Sequence, residues 1–63
     1  MRVIDLNPYI FDKVVIYKSD PNVDGEFIDV EEGFISTLST STLNMEVRTI
    51  GAKRRGVIDI RVE

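Results

Sequence analysis

The chain reads as a mainly β domain of four to five short antiparallel strands closed by a C-terminal β-hairpin, with a small α+β arrangement as the runner-up. Three observations predict this. Val14-Val15-Ile16-Tyr17 is a run of β-branched and aromatic residues. The segments Leu43 to Ile50 and Val57 to Glu63 both alternate with period two. Between such runs lie clusters of turn formers, Asp20-Pro21-Asn22 and Asp24-Gly25 above all.

Taken in order, Arg2 to Leu6 reads as a short β-like segment stopped by Asn7-Pro8, because proline removes a ladder donor. Asp12 to Lys18 is the clearest strand of the first half. Val14 and Ile16 lie on one of its faces, Val15 and Tyr17 on the other. A strand apolar on both faces is central and covered twice, or one face is an interface. Ser19 to Gly25 is a loop, and Glu26 to Val30 resumes as a strand, so the two strands form a hairpin with a long tip. Glu31-Glu32-Gly33 interrupts the pattern. Val30, Phe34 and Leu38 are spaced four apart, as on a helix. The run Ser39-Thr40-Ser41-Thr42 opposes a helix, since its hydroxyls compete for backbone groups. A short helical turn around 31–39 and an edge strand are both consistent with this stretch.

In the C-terminal hairpin, setting Val47 opposite Ile60 brings Met45 to Val62 and Thr49 to Ile58 on an apolar face. The other face then pairs Arg48 with Asp59 and Glu46 with Arg61. Two-residue slips place like charges opposite each other, at a cost of roughly 0.2–1 kcal/mol per pair. This register predicts a loop from Gly51 to Gly56 and an apolar Ile50–Val57 pair near the tip.

Composition narrows the chemistry. Sixty-three residues support one domain, and a chain of this size buries only about 60% of its unfolded surface. Such domains lean on disulfides, a metal or a partner chain. The absence of Cys and His removes disulfides, thiolate zinc sites and the usual nucleophile–base pairs. Serines and threonines lack an evident base, and no enzymatic activity is expected. No cofactor is expected beyond an oxygen-ligated ion such as calcium. The longest apolar run is far too short to span a membrane. An acid at position 5 interrupts any signal-like N-terminus, and a cysteine-free small domain fits a reducing, cytoplasmic setting. The net charge of −3 argues against wholesale nucleic-acid binding.

Two motifs stand out. Asp20, Asn22, Asp24 and Gly25, with Glu31 at position twelve, resemble the calcium loop of the EF-hand. The resemblance implies that Asp20, Asn22, Asp24, Glu26 and Glu31 form an oxygen cage closed by a bidentate glutamate. It covers twelve residues; the entering Val-Val-Ile-Tyr segment and the exiting Gly33 depart from the helices an EF-hand requires. The second motif is Lys53-Arg54-Arg55, a basic tip able to grip phosphates or an acidic protein surface.

The aromatic residues Tyr9, Phe11, Tyr17, Phe27 and Phe34 are expected mostly in the core. Apolar material nevertheless exceeds what so small an interior can hide. Ile10, Phe11, Val15, Tyr17, Ile50 and Val57 are the expected interface, and a homo-oligomer is the commonest use of such a surface. The leading reading is a non-catalytic protein–protein interaction or assembly module that self-associates and binds a larger protein. Adaptor, structural subunit or inhibitor would each fit, as among viral and mobile-element accessory products. The alternatives are a calcium-binding loop domain and a weak nucleic-acid binder acting through the Lys53–Arg55 tip.

Overall fold

The apolar run of the first half becomes β1 (Lys13–Ser19), with Val14 and Ile16 fully buried. The computed structural model, which describes Met1 to Glu63, places β1 in the middle of a four-stranded sheet. Its neighbours are β2 (Phe27–Gly33) on one side and β4 (Val57–Val62) on the other, and β3 (Val47–Arg54) flanks β4. Both hairpins are present: β1 pairs antiparallel with β2, and β3 antiparallel with β4. The two central strands, β1 and β4, run parallel, so the sheet is mixed rather than wholly antiparallel.

Parallel neighbours need a crossover. Residues 34–46 supply it, carrying the chain from the β2 edge to the β3 edge. The crossover holds a 3-10 turn at Ile35–Thr37 and a one-turn helix α1 at Thr40–Leu43. The helical turn expected around 31–39 is the 3-10 turn at Ile35–Thr37, and α1 follows it within the Ser/Thr run that was expected to oppose a helix. A second 3-10 turn spans Val3–Leu6, where a β-like segment was expected; only Arg2 makes a bridge, to Glu46. Residues three apart eclipse in a 3-10 turn, so Val3 and Leu6 can enter the core together.

The core is wholly aliphatic. Val3, Leu6, Ile35 and Leu38 from the helical layer pack on Val14, Ile16, Ile60 and Val62 from β1 and β4. Parallel pairing brings Val14 beside Ile58 and Ile16 beside Ile60. No aromatic ring is buried. Tyr9 and Phe11 are 77% and 81% exposed, Phe27 and Phe34 are 51% and 54% exposed, and Tyr17 is half-buried. The expectation of an aromatic core is thereby corrected: small branched side chains fill the narrow space between one sheet and one thin helical layer, and the rings stay outside.

The C-terminal hairpin forms in a different register from the one its charges predict. Val47 lies opposite Val62, Thr49 opposite Arg61, Ile50 opposite Ile60 and Gly51 opposite Asp59, with irregularities at Arg48 and between Gly51 and Arg54. The predicted Ile50–Val57 pair does not form, since Val57 meets Arg54. Ion pairing follows suit: Arg48 reaches Glu63 at 3.9 Å and Arg54 reaches Asp59 at 3.5 Å. The bulge at Arg48 lets Val47 and Ile50, three apart in sequence, both oppose β4's core row of Val62 and Ile60. Pairing also continues to Arg54, leaving a tight Arg55-Gly56 turn in place of a six-residue loop. Gly56 takes φ +74° there, a conformation that other residues rarely adopt.

A second bulge decides where β2 points its acids. Ile16 pairs with Glu31 but Tyr17 pairs with Asp29, leaving Val30 unpaired. Glu31 therefore faces the helical layer with Ile16, while Asp29 and Glu32 face the other way with Tyr17 and Val15.

Candidate interaction surface

Helical segments cover only one face of the sheet. The opposite face is built in cross-strand rows. One row runs Asp29, Tyr17, Arg61, Thr49, and the next runs Glu32, Val15, Asp59, Gly51. Lys13, Val57 and Arg54 follow at one end, and Ser19 beside Phe27 at the other. Three of the expected interface residues, Val15, Tyr17 and Val57, thus lie on the two central strands of a single open face.

Phe27 and Arg61 join them, and neither was expected there. The Tyr17 and Phe27 rings meet edge to face with centroids 5.5 Å apart, a favoured aromatic geometry. The Arg61 guanidinium carbon stands 5.9 Å from the Phe27 ring centroid, within cation–π range. Arg61 Nε is shut off from solvent and has no hydrogen-bond partner, although buried donors are nearly always paired.

Charge on this face is polarised. The β2 side carries Asp29 and Glu32, with Glu32 bound to Lys13 at 3.5 Å. The β3 side carries Arg54, bound to Asp59 at 3.5 Å, and Arg48, which lies by Ser19 and Arg61 and reaches Glu63 at 3.9 Å. A shallow hollow of about 320 Å³ lies over Val15, walled by Arg54 on one side and Asp29, Val30, Glu31 and Glu32 on the other.

The remaining expected interface residues lie elsewhere. Ile10 and Phe11 line a groove with Asn7, Phe34, Ile35 and Ser36 at one end of the helical layer. Ile50 is on the helical side of β3 and 49% exposed. Because Phe11 contributes almost no buried area, Phe11→Ser is expected to shift folding stability by no more than about 0.5 kcal/mol, as read from urea unfolding of the dilute protein. A larger loss would mean that Phe11 belongs to the core.

The five residues of the calcium-like loop do not converge. Asp20 Oδ1 accepts the Asn22 N–H at 2.8 Å, and the Asp20 N–H donates to the Glu26 carbonyl at 2.9 Å. This is a hairpin tip held by an Asx turn. Glu31 pairs with Ile16, three residues before the end of β1, about 10 Å from the tip along the strand. No three acidic side chains of the chain stand close enough to hold a metal ion. The motif's residue types are present, but the strand between them carries the closing glutamate away.

Glu31 instead has a dense set of local donors. Its Oε1 accepts from Thr42 Oγ1 at 2.7 Å and Ser39 Oγ at 2.9 Å, and the Ser39 N–H reaches both carboxylate oxygens at 3.1 and 3.2 Å. These bonds, Thr42 first and then Ser39, hold its carboxyl below the usual glutamate range against a smaller opposing effect of burial. The Ser/Thr run that argued against a helix thus tethers α1 to the sheet. Its signal in the sequence is an acid followed by a hydroxyl-rich stretch, of which the structure buries Thr42.

The basic tip is only partly free. The Arg54 side chain is folded back onto Asp59, and the Lys53 N–H donates to Asp59 Oδ2 at 3.3 Å. Arg55 occupies the turn and is exposed. All three residues stay exposed, and the Lys53 bond is made by its backbone alone. No helix is long and apolar enough to cross a membrane. Comparison of the chain with protein-family models, curated proteins and solved structures returns no match.

Proposed function

We propose that the protein is a non-catalytic interaction module, an assembly subunit or adaptor, that self-associates through the open face of its sheet. One observation carries this reading: the two central strands place Val15, Tyr17, Val57 and Arg61 on a face that nothing in the chain covers. Parallel strand pairs are usually covered on both faces, and here Val15, Tyr17 and Val57 are only half-buried, beside a Phe27 that is 51% exposed. The Tyr17–Phe27 ring pair and the Arg61 guanidinium beside it add to the case, since aromatic residues and arginine are enriched at interfaces. The groove at Ile10, Phe11 and Phe34 lies on another side of the molecule, so a larger protein partner could be engaged there without competing for the sheet face.

The test is solution mass. Sedimentation equilibrium of the whole chain across micromolar concentrations is expected to show a dimer in reversible exchange with monomer. Tyr17→Glu places a charge at the centre of the face and is expected to weaken the dimer at least tenfold, given the several kcal/mol that a misplaced interfacial charge costs. A wild-type chain that stays monomeric at several hundred micromolar (roughly a hundredfold weaker than a typical micromolar complex) would sink the proposal.

A further inference from the structure

From the polarised charge of the open face we infer that the occupant is a second copy of this chain, docked sheet to sheet about a two-fold axis that runs along the strands between β1 and β4. The inference rests on the proposed self-association and specifies its geometry. In strand order β2-β1-β4-β3, such an axis sets β2 of one copy against β3 of the other, and β1 against β4. It leaves each residue at its own level along the strands.

The registers then state who meets whom. Asp29 shares its level with Thr49, next to Arg48, so Asp29 faces Arg48 of the second copy. Glu32 shares its level with Gly51, where the Arg54 side chain leans in over Asp59, so Glu32 faces Arg54 of the second copy. Tyr17 and Arg61 share a level in the centre and meet across the axis twice, ring against guanidinium. By symmetry every contact occurs twice.

Two competing arrangements fail on charge. A two-fold axis lying across the strands would set the acidic β2 against itself. Pairing two β2 edges would juxtapose Asp29, Glu31 and Glu32 with their copies, and charged edges resist such pairing. The β3 edge is occupied at its start, where the Val47 N–H donates to the Met1 carbonyl at 2.8 Å. Sheets packed face to face lie about 10 Å apart with strands near 30°, a spacing that long acidic and basic side chains can bridge.

The experiment is a charge swap between two variants. One carries Arg48→Glu and Arg54→Glu, the other Asp29→Arg and Glu32→Arg. Each alone opposes like charges across the axis four times and is expected to dimerise at least about tenfold more weakly than the wild type. Mixed one to one, they restore every pair, two in the original sense and two reversed, and are expected to form a heterodimer of near wild-type affinity. Circular dichroism of each variant establishes that it is folded. If the wild type dimerises but folded variants stay dimeric alone, or fail to combine when mixed, the geometry is wrong and self-association stands. If the wild type is a monomer, both go.

Discussion

Ile60→Ala is expected to leave the chain largely unfolded at 25 °C. Ile60 is fully buried at the centre of β4, beside Ile16 of β1 and opposite Ile50 of β3. Truncating such a residue costs about 2–5 kcal/mol, the lost transfer energy plus the cavity left behind. A core of this size rarely supplies more than about 3–5 kcal/mol of net stability. The loss is therefore comparable with everything the fold has. Ile50→Ala is the matched control, since half of that side chain already meets water. Urea unfolding followed by circular dichroism, at one protein concentration for all variants because association adds apparent stability, separates the two. If Ile60→Ala costs less than about 1 kcal/mol, β1 and β4 are not the centre of the core.

Acid is expected to loosen the link between α1 and the sheet. The Glu31 carboxyl titrates below its ordinary range because Thr42 and Ser39 donate to the ionised form. A group whose folded value is depressed stabilises the fold fully above its unfolded value, and that contribution disappears as pH falls through the folded one. At neutral pH, Glu31→Gln should therefore melt at a lower temperature than the wild type. The gap should close as the solution is acidified past the ordinary glutamate range. Other carboxylates titrate in both proteins, so the difference between them isolates position 31. Thr42→Val should cost about 1 kcal/mol at neutral pH, the usual net worth of a hydrogen bond, and less in acid. A gap between wild type and Glu31→Gln that is constant with pH would show that the tether has no electrostatic part.

The elements visible in the sequence were those set by local chemistry. Val14 to Tyr17, followed by Asp20 to Gly25, specifies a strand and a turn within a dozen residues, and β1 forms as expected, while β2 runs on through Glu31-Glu32-Gly33, where an interruption was expected. The alternation after Val57 likewise yields β4, and its two-sided neighbour β1 pointed to an interface at Val15 and Tyr17. What could not be read was the pairing of β1 with β4, which depends on residues more than forty positions apart meeting side by side. Without that pairing, Arg61 looked like a partner for Glu46, and its approach to Phe27, two strands away, had no basis. The charge pattern misled for a related reason. Arg48 sits at a bulge and so drops out of the alternation that seemed to pair it with Asp59. Glu31 fitted a metal loop because turn-forming tips use the same Asp, Asn and Gly residues. Its actual partners, Ser39 and Thr42, lie beyond the twelve residues that the motif covers.

The side-by-side alignment of β1 and β4 has a kinetic consequence. Each hairpin closes a short stretch of chain and can form in about 1–10 μs. Neither buries enough apolar surface to persist alone. Commitment to the native state awaits the docking of one hairpin on the other, with residues 34–46 laid across them, and closing so long a loop must be met before the long-range contacts reward it. Trimming side chains at the seam where Val14 meets Ile58 and Ile16 meets Ile60 is therefore expected to slow folding more than it hastens unfolding, as the two arms of a stopped-flow chevron would show.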